Sequence, residues 1–241
     1  RRRERGDGRS WLALLEHDAN AAEGCYVELS PYNLFWIFMT TSVLGLVVET
    51  LVSYPIDGMW KDRAGLVWGP ISPIYGCGAV LMTIFLNNMK DRSGFHLFVK
   101  AAIAGALFEL FAGWTMEHLY GMIAWDYHNE PFNIAGYTCL SVSVVWGIAG
   151  FLWMKFFLVP TVHLAGRIPE GQPRTVVTAL VATFLALDVV TTFASCTFWF
   201  DRMAGVPVTT PVQQFFAERY SDSFMAGKFQ TVSMYTDLAL R

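Results

Sequence analysis

The chain has 241 residues, of which 54% are hydrophobic and 15% are charged, and its mean hydropathy is +0.38. An average soluble domain is nearer a quarter charged, so the composition argues against a soluble protein. The net charge of −3 gives no indication of a nucleic-acid partner. The composition predicts instead a polytopic protein whose partner is the lipid bilayer.

Five apolar runs follow one another along the chain, and each approaches the ~20 residues that a helix needs to cross a bilayer. We therefore expect an all-α transmembrane helix bundle of about five spans in the cell membrane. The basic segment 1–31 precedes the bundle at 32–200, and a tail at 201–241 with one short helix follows it. The runs lie near 34–53, 71–89, 95–120, 132–159 and 176–200.

The distribution of basic residues predicts the orientation of the chain. With a cytoplasmic N-terminus, the inner segments carry eleven Lys and Arg residues and the outer segments carry six. Cytoplasmic segments of membrane proteins are enriched in both residues. We therefore expect segment 1–31 in the cytoplasm and the connection 125–137 outside.

Acidic residues stand within the predicted spans, where a charge is costly. Glu109 and Asp188 fall near the middle of their spans, and Glu49 and Glu117 fall nearer the outer ends. We expect Glu109 and Asp188 to face the bundle interior, in a functional path or in a structural hydrogen bond between helices. For Glu49 and Glu117, a position at the membrane interface is the alternative. Glu109, Gly113 and Glu117 are spaced by four residues and share one stripe of the third span.

Two connections have an unusual composition. "GPISPIYG" (69–76) places two glycines and two prolines at the start of the second span, which predicts a broken or re-entrant start; an ordinary tight turn is the alternative. "WDYHNEPFNIAGY" (125–137) concentrates polar groups between apolar runs. We expect Asp126 and Asn133 to fix this connection by hydrogen bonds and to cover a polar region beneath it. The loop and turn motif comprises Gly69, Pro70, Pro73, Tyr75, Gly76, Trp125 and Tyr127.

The tail contains a helix-start pattern. Thr210, Pro211 and Gln213 match a capping box with proline at the first helical position.

Several catalytic signatures are absent from the sequence. The chain has no Cys-x-x-Cys pair, no His-Glu-x-x-His, no Gly-x-Ser-x-Gly and no P-loop. We therefore predict neither a metal site nor a cofactor. The catalytic residues of any enzyme activity are unknown. Because the chain has no P-loop, ATP hydrolysis would need a separate subunit.

Several motifs together resemble a known family. "LGLVVE" (44–49), "GPISPIYG" (69–76), "LFELFAGWTMEHLYGMIAWDYHNEPFNIAGY" (107–137) and "SVVWG" (143–147) are similar to bacterial integral membrane proteins of the ABC-transporter permease family, type IV. The resemblance covers about 33–160 and implies transport with a partner ATPase. Two departures stand out: Leu46 follows Gly45 where tryptophan is usual, and Ala64 separates Arg63 from Gly65. The family's Arg-Gly pair therefore does not establish a role for Arg63.

Three functions remain open. The first is a transport component that uses a separate ATPase, or an ion gradient through Glu109 and Asp188. The second is a membrane-embedded enzyme acting on a lipid or isoprenoid headgroup through its intramembrane carboxylates. The third is a structural scaffold without a site. The candidate residues of a substrate or proton path are Glu49, Glu109, Glu117, Asp126 and Asn133.

Overall fold

The computed structural model describes residues 21–60, 62–230 and 233–234. The first twenty residues of the predicted basic segment lie outside the described part. Most of the described residues are helical, and β1 (Met122–Ile123) with β2 (Ser233–Met234) forms a two-residue antiparallel pair. The helices are α1 (Pro31–Asp57), α2 (Pro73–Leu86) with a 3-10 turn (Asn87–Met89), α3 (Gly94–Tyr120), α4 (Leu140–Leu152) with a π-helical turn (Trp153–Phe157), α5 (Leu158–Ala165), α6 (Gln172–Met203), α7 (Pro211–Arg219) and α8 (Asp222–Lys228).

Four helical stretches in the described residues are long and apolar enough to cross a membrane. They lie at Pro31–Pro55, Gly94–Leu119, Leu140–Ala165 and Gln172–Met203. Large apolar side chains on them are exposed, as lipid-facing positions would be, and Phe111 is 65% exposed. The predicted all-α membrane bundle is therefore confirmed.

The second predicted span differs from the other four. Its helix, α2, has only 14 residues and is about 21 Å long at 1.5 Å per residue, against a hydrocarbon thickness of about 30 Å. The residues before it, 62–72, form no helix. An irregular segment precedes α2, and α2 begins at Pro73. Proline in the first turn of the helix agrees with the ordinary tight turn that is the alternative, and a broken or re-entrant start stays a prediction.

The chain divides into two compact units. The first contains residues 78–114 and 126–168, together with the chain up to Phe38. Its helices α3 and α4 approach closely because glycines remove bulk: a Cβ at Gly105 would overlap Trp146, and one at Gly147 would overlap Phe98. Small residues serve the same purpose wherever membrane helices pack tightly. The buried core of this unit comprises Tyr26, Val27, Ile37, Met82, Leu86, Met89, Leu97, Ala101, Trp153, Met154, Leu158, Val159 and Val162.

The second unit contains residues 39–77, 115–125 and the chain from Pro169 onward. Its tail carries two short helices, α7 and α8, where the sequence predicted one. The predicted capping box of α7 is present, since the Thr210 side chain accepts from Gln213 N and the Gln213 side chain reaches back. The buried core of this unit joins the tail to α6 and to segment 62–72 through Val67, Cys196, Trp199, Tyr220, Met225 and Phe229.

Candidate functional site

Segment 62–72 has an irregular backbone, and five of its residues are buried: Ala64, Leu66, Val67, Ile71 and Ser72. Three of its backbone N–H groups bond to transmembrane helices: Val67 N donates to Thr192 Oγ1 at 2.9 Å, Trp68 N to Asp188 Oδ1 at 3.0 Å and Ser72 N to Ser42 O at 3.0 Å. Because the segment is not helical, its backbone N–H groups need other acceptors, and these three bonds supply them. The segment is therefore held against α1 and α6.

The anchoring residues lie near the middle of their helices. Asp188 is about 24 Å from the Gln172 end of α6 and about 22 Å from its Met203 end, by the helical rise. Ser42 lies about 16 Å from the start of α1. Non-helical backbone at such depth occurs only where it is buried in protein or lines a water-filled cavity.

The glycine and proline motif explains the path of this segment. Gly69 adopts φ +69°, which a side chain would disfavour. Gly65 N donates to Ile71 O at 2.9 Å, and a Cβ at Gly65 would press on Pro73. Pro73 then begins α2, where its missing N–H costs nothing. The turn 65–73 is therefore specified by its backbone chemistry.

The remaining motif residues pack around this turn. A Cβ at Gly45 in α1 would overlap the ring of Tyr75, so glycine there lets the first turn of α2 approach α1. Gly76 is buried beside it, and Pro70 is exposed. These positions serve close packing in the second unit.

Asp188 is the most enclosed acidic side chain of the described residues, with no exposed surface. Its Oδ1 receives the Trp68 N–H and a bond from the Thr192 hydroxyl at 3.4 Å. Its Oδ2 and the Ser195 hydroxyl are buried and have no hydrogen-bond partner among the described residues. Asp188, Thr192 and Ser195 recur at helical spacing, so they form one buried polar stripe on α6.

Glu49 and Glu117 belong to the second unit. Glu49 pairs with Arg63 at 3.4 Å, and both side chains are partly exposed. Arg63 therefore has an acidic partner, which could not be predicted from the family's Arg-Gly pair because Ala64 interrupts that pair here. The Glu117 side chain is half-buried. A shared layer of Glu49 and Glu117 stays a prediction.

Glu109 belongs to the first unit and is 8% exposed. It lies about 16 Å from the end of α3 by the helical rise. The Tyr127 hydroxyl donates to its Oε1 and the Thr138 hydroxyl to its Oε2, each at 3.4 Å. The connection 125–139 therefore reaches Glu109 well inside α3.

Asp126 and Asn133 hold the shape of this connection. Asp126 Oδ1 accepts from His128 N at 2.9 Å and contacts His128 Nδ1 at 2.5 Å. The Asn133 amide donates to the carbonyls of His128 and Glu130 at 3.0 Å and 2.9 Å. The His128 backbone bond, then the His128 side chain, hold the pKa of Asp126 below its usual value. Trp125 is half-buried at the start of the connection.

The same connection contains uncommon backbone conformations. Phe132 and Ala135 adopt φ 56° and 52°, which residues with a Cβ rarely do. Gly136 adopts φ 73°, and a Cβ there would overlap the His128 ring. Such conformations persist where surrounding bonds enforce them, and the Asp126 and Asn133 bonds do so here.

Sequence reasoning named Glu109 and Asp188 but not their partners. Thr138 and Thr192 are ordinary residues in apolar runs, and the motif that contains Trp146, "SVVWG", does not indicate which acidic residue lies beside it. The helical spacing of Asp188, Thr192 and Ser195 was a readable signal of a polar stripe.

Comparison with known proteins gives one match. The family model described as "Putative ABC-transporter type IV" matches residues 36–193, a range that contains segment 62–72, Glu109, the connection 125–139 and Asp188. No curated protein and no solved structure matches the chain. Because the match covers well over half of the 241 residues, the chain belongs to the family described as Putative ABC-transporter type IV.

Proposed function

We propose that this protein is the membrane-embedded permease component of a transport system. The observation that carries the proposal is segment 62–72, whose irregular backbone is bonded to Asp188 near the middle of α6. Transporters place interrupted spans of this kind next to their substrate and ion sites, because unwound backbone there offers polar groups that a continuous helix hides. A scaffold that only fills the membrane needs no such interruption.

The acidic residues supply the polar positions that a transport path needs. Among the described residues, Glu109 accepts from the hydroxyl groups of Tyr127 and Thr138 and forms no ion pair with a basic side chain. A carboxyl in that setting can accept or release a proton or a small cation. Glu49, Glu109, Glu117, Asp126 and Asn133 are the positions that we propose for the substrate or proton path, in the outer half of the bundle.

A separate ATPase is the proposed source of energy. The family description names an ABC transporter, and the sequence contains no P-loop. A permease of this type therefore needs a second subunit to bind and hydrolyse ATP. An ion gradient acting through Glu109 is the second way in which the same chain could drive transport.

The test is affinity purification of the full chain from native membranes, with mild cross-linking. We expect a P-loop ATPase to co-purify, and we expect ATP hydrolysis by the complex to fall in Glu109→Gln, which keeps the shape of the side chain and loses its titration. Glu130→Gln is the matched control, since Glu130 is exposed in the same connection.

Two outcomes would contradict the proposal. Recovery of the chain without an ATPase, together with turnover of an added lipid, would support an enzyme instead. Equal ATP hydrolysis in Glu109→Gln and Glu130→Gln would remove Glu109 from the path.

A further inference from the structure

We propose that Asp188 carries an exchangeable proton near the middle of α6, and that the C-terminal helices α7 and α8 control its access to water by holding segment 62–72 in place. The use of this proton in transport rests on the proposed function. The location of the proton is argued from the contacts of Asp188 alone.

The hydrogen bonds of Asp188 indicate where the proton resides. Both donors, Trp68 N–H and the Thr192 hydroxyl, bond to Oδ1. Oδ2 is buried without a partner among the described residues. An ionised carboxylate would leave its charge on a bare oxygen within the bundle, which is far costlier than leaving a neutral hydroxyl unpaired. The arrangement therefore fits a carboxylic acid with the proton on Oδ2.

The charged groups around Asp188 do not neutralise it directly. On segment 62–72, Arg63 pairs with Glu49 and Asp62 pairs with Lys228 of α8. Lys228 also acts on Asp188 electrostatically, but its Nζ lies 3.0 Å from Asp62. Further along α6, Arg202 pairs with Asp222 at 2.7 Å. Each of these cations has a carboxylate partner of its own, so Asp188 depends on its proton for neutrality.

The chemistry of the stripe favours a proton over a metal ion. No group of three His, Cys, Asp or Glu residues within the described ranges could hold a metal. The Ser195 hydroxyl, two turns along the stripe, is buried without a described partner, so it offers a hydrogen bond to an entering water. Opening would let the Asp188 acid pass its proton to such a water, which leaves a solvated carboxylate, and the reverse transfer restores the acid before closing.

The tail holds segment 62–72 through a set of contacts that we name the tail clamp: Tyr220 with Trp68, and Lys228 with Asp62. Trp68 Nε1 donates to the Tyr220 hydroxyl at 3.1 Å, and Lys228 Nζ bonds to Asp62 Oδ2 at 3.0 Å. Val67, whose neighbour Trp68 bonds to Asp188, is buried in one cluster with Met225 and Phe229 of the tail. Loosening the clamp therefore frees the segment that covers Asp188.

Carbodiimide labelling tests both parts of the proposal without a transport assay. Dicyclohexylcarbodiimide enters membranes and adds to protonated carboxyl groups, and mass spectrometry locates the modified residue. The protein is the full chain in lipid nanodiscs. The variants are Asp188→Asn, the double clamp variant Tyr220→Phe with Lys228→Gln, and Glu170→Gln, which breaks the Glu170–Arg174 pair near the other end of α6 and serves as the matched control.

We expect slow labelling of Asp188 in the wild-type protein, with a rate that falls as the pH rises because only the acid reacts. The clamp variant should label roughly tenfold faster, the factor that corresponds to a loss of about 1.4 kcal/mol in closing free energy. The Glu170→Gln control should label at the wild-type rate, and Asp188→Asn should lose the label at that position.

Three results would overturn the proposal. Equal rates in the clamp variant and in the control would remove the tail from the control of access. A rate independent of pH would make Asp188 a permanently protonated structural group. If Glu109 is labelled and Asp188 is not, in the wild-type and clamp proteins alike, Asp188 is not a protonated carboxyl group that the reagent can reach. If Asp188→Asn fails to fold, the comparison of labelling rates between the clamp variant and its control still tests the proposal. The ATPase co-purification experiment tests the proposed transport function separately, so failure of one proposal can be distinguished from failure of the other.

Discussion

The backbone N–H of Trp68 bonds to Asp188 Oδ1 at 3.0 Å, across 120 residues of sequence. One partner is the irregular start of a short span, and the other stands near the middle of the longest helix. The bond satisfies a backbone donor that would otherwise be unpaired within the membrane, where each unsatisfied group costs several kcal/mol. It is one of three backbone hydrogen bonds that hold segment 62–72 against transmembrane helices.

Two substitutions of Asp188 should show how much its hydrogen-bond acceptor contributes to the free energy of unfolding. Asp188→Ala removes the acceptor of the Trp68 N–H and should lower the free energy of unfolding by about 1–3 kcal/mol. Asp188→Asn keeps an acceptor oxygen and should remain close to the wild type. Thermal unfolding in detergent measures both. Ser195→Ala is the control, since that buried hydroxyl has no described partner, and a loss as large as that of Asp188→Ala would contradict the role of the bond.

A methyl group at Gly105 should disturb the packing of α3 on α4. Its Cβ would overlap the Trp146 side chain, and overpacking of this kind costs about 1–3 kcal/mol. Gly227→Ala in α8 is the matched control, because nothing lies within 4 Å of its added Cβ and alanine favours a helix. We expect Gly105→Ala to lower the unfolding temperature while Gly227→Ala maintains or raises it. Equal unfolding temperatures would show that Trp146 moves aside freely.

The connection 125–139 should loosen in acid. Its Asp126 has a pKa below the usual value because of His128, so the stabilisation that the ionised carboxylate provides is present above the ordinary pKa of about 3.9. It is lost as the pH falls through the lower, folded pKa. At neutral pH no change is expected.

Carbon-13 resonances of labelled Asp side chains can follow this titration directly. His128→Ala removes the ring contact and keeps the backbone N–H, which is the larger cause of the shift. We therefore expect the Asp126 midpoint to move only part of the way back to the usual value. A complete return would assign the whole effect to the imidazole.

The orientation predicted from basic residues can be tested at Asn129, which is exposed in the described structure. A cysteine introduced there, after replacement of Cys25, Cys77, Cys139 and Cys196, should react with an impermeant thiol reagent in whole cells. A cysteine in place of exposed Asp91, in the turn before α3, should react only after the membrane is opened. The reverse pattern would place the N-terminus outside.

The sequence by itself determined the class of the protein and the general position of its unusual features. Apolar run length indicates membrane helices because hydrocarbon excludes unpaired backbone groups, and four of the five predicted runs are long helical stretches. Proline and glycine likewise act through local backbone geometry. The turn at Gly69, the helix start at Pro73 and the capping box at Thr210 could therefore be predicted from neighbouring residues alone.

Only the tertiary structure decided which groups meet. Asp188 is separated from Trp68 by 120 residues and Glu109 from Thr138 by 29, and no local rule selects these partners. The sequence predicts a helix start in the tail, but the contacts of the tail with Trp68 and Asp62 depend on the packing of a whole unit. Hydrophobic periodicity specifies which face of a helix is buried, whereas the shape of the neighbouring elements decides which buried polar atoms find a partner and which, such as Asp188 Oδ2, do not.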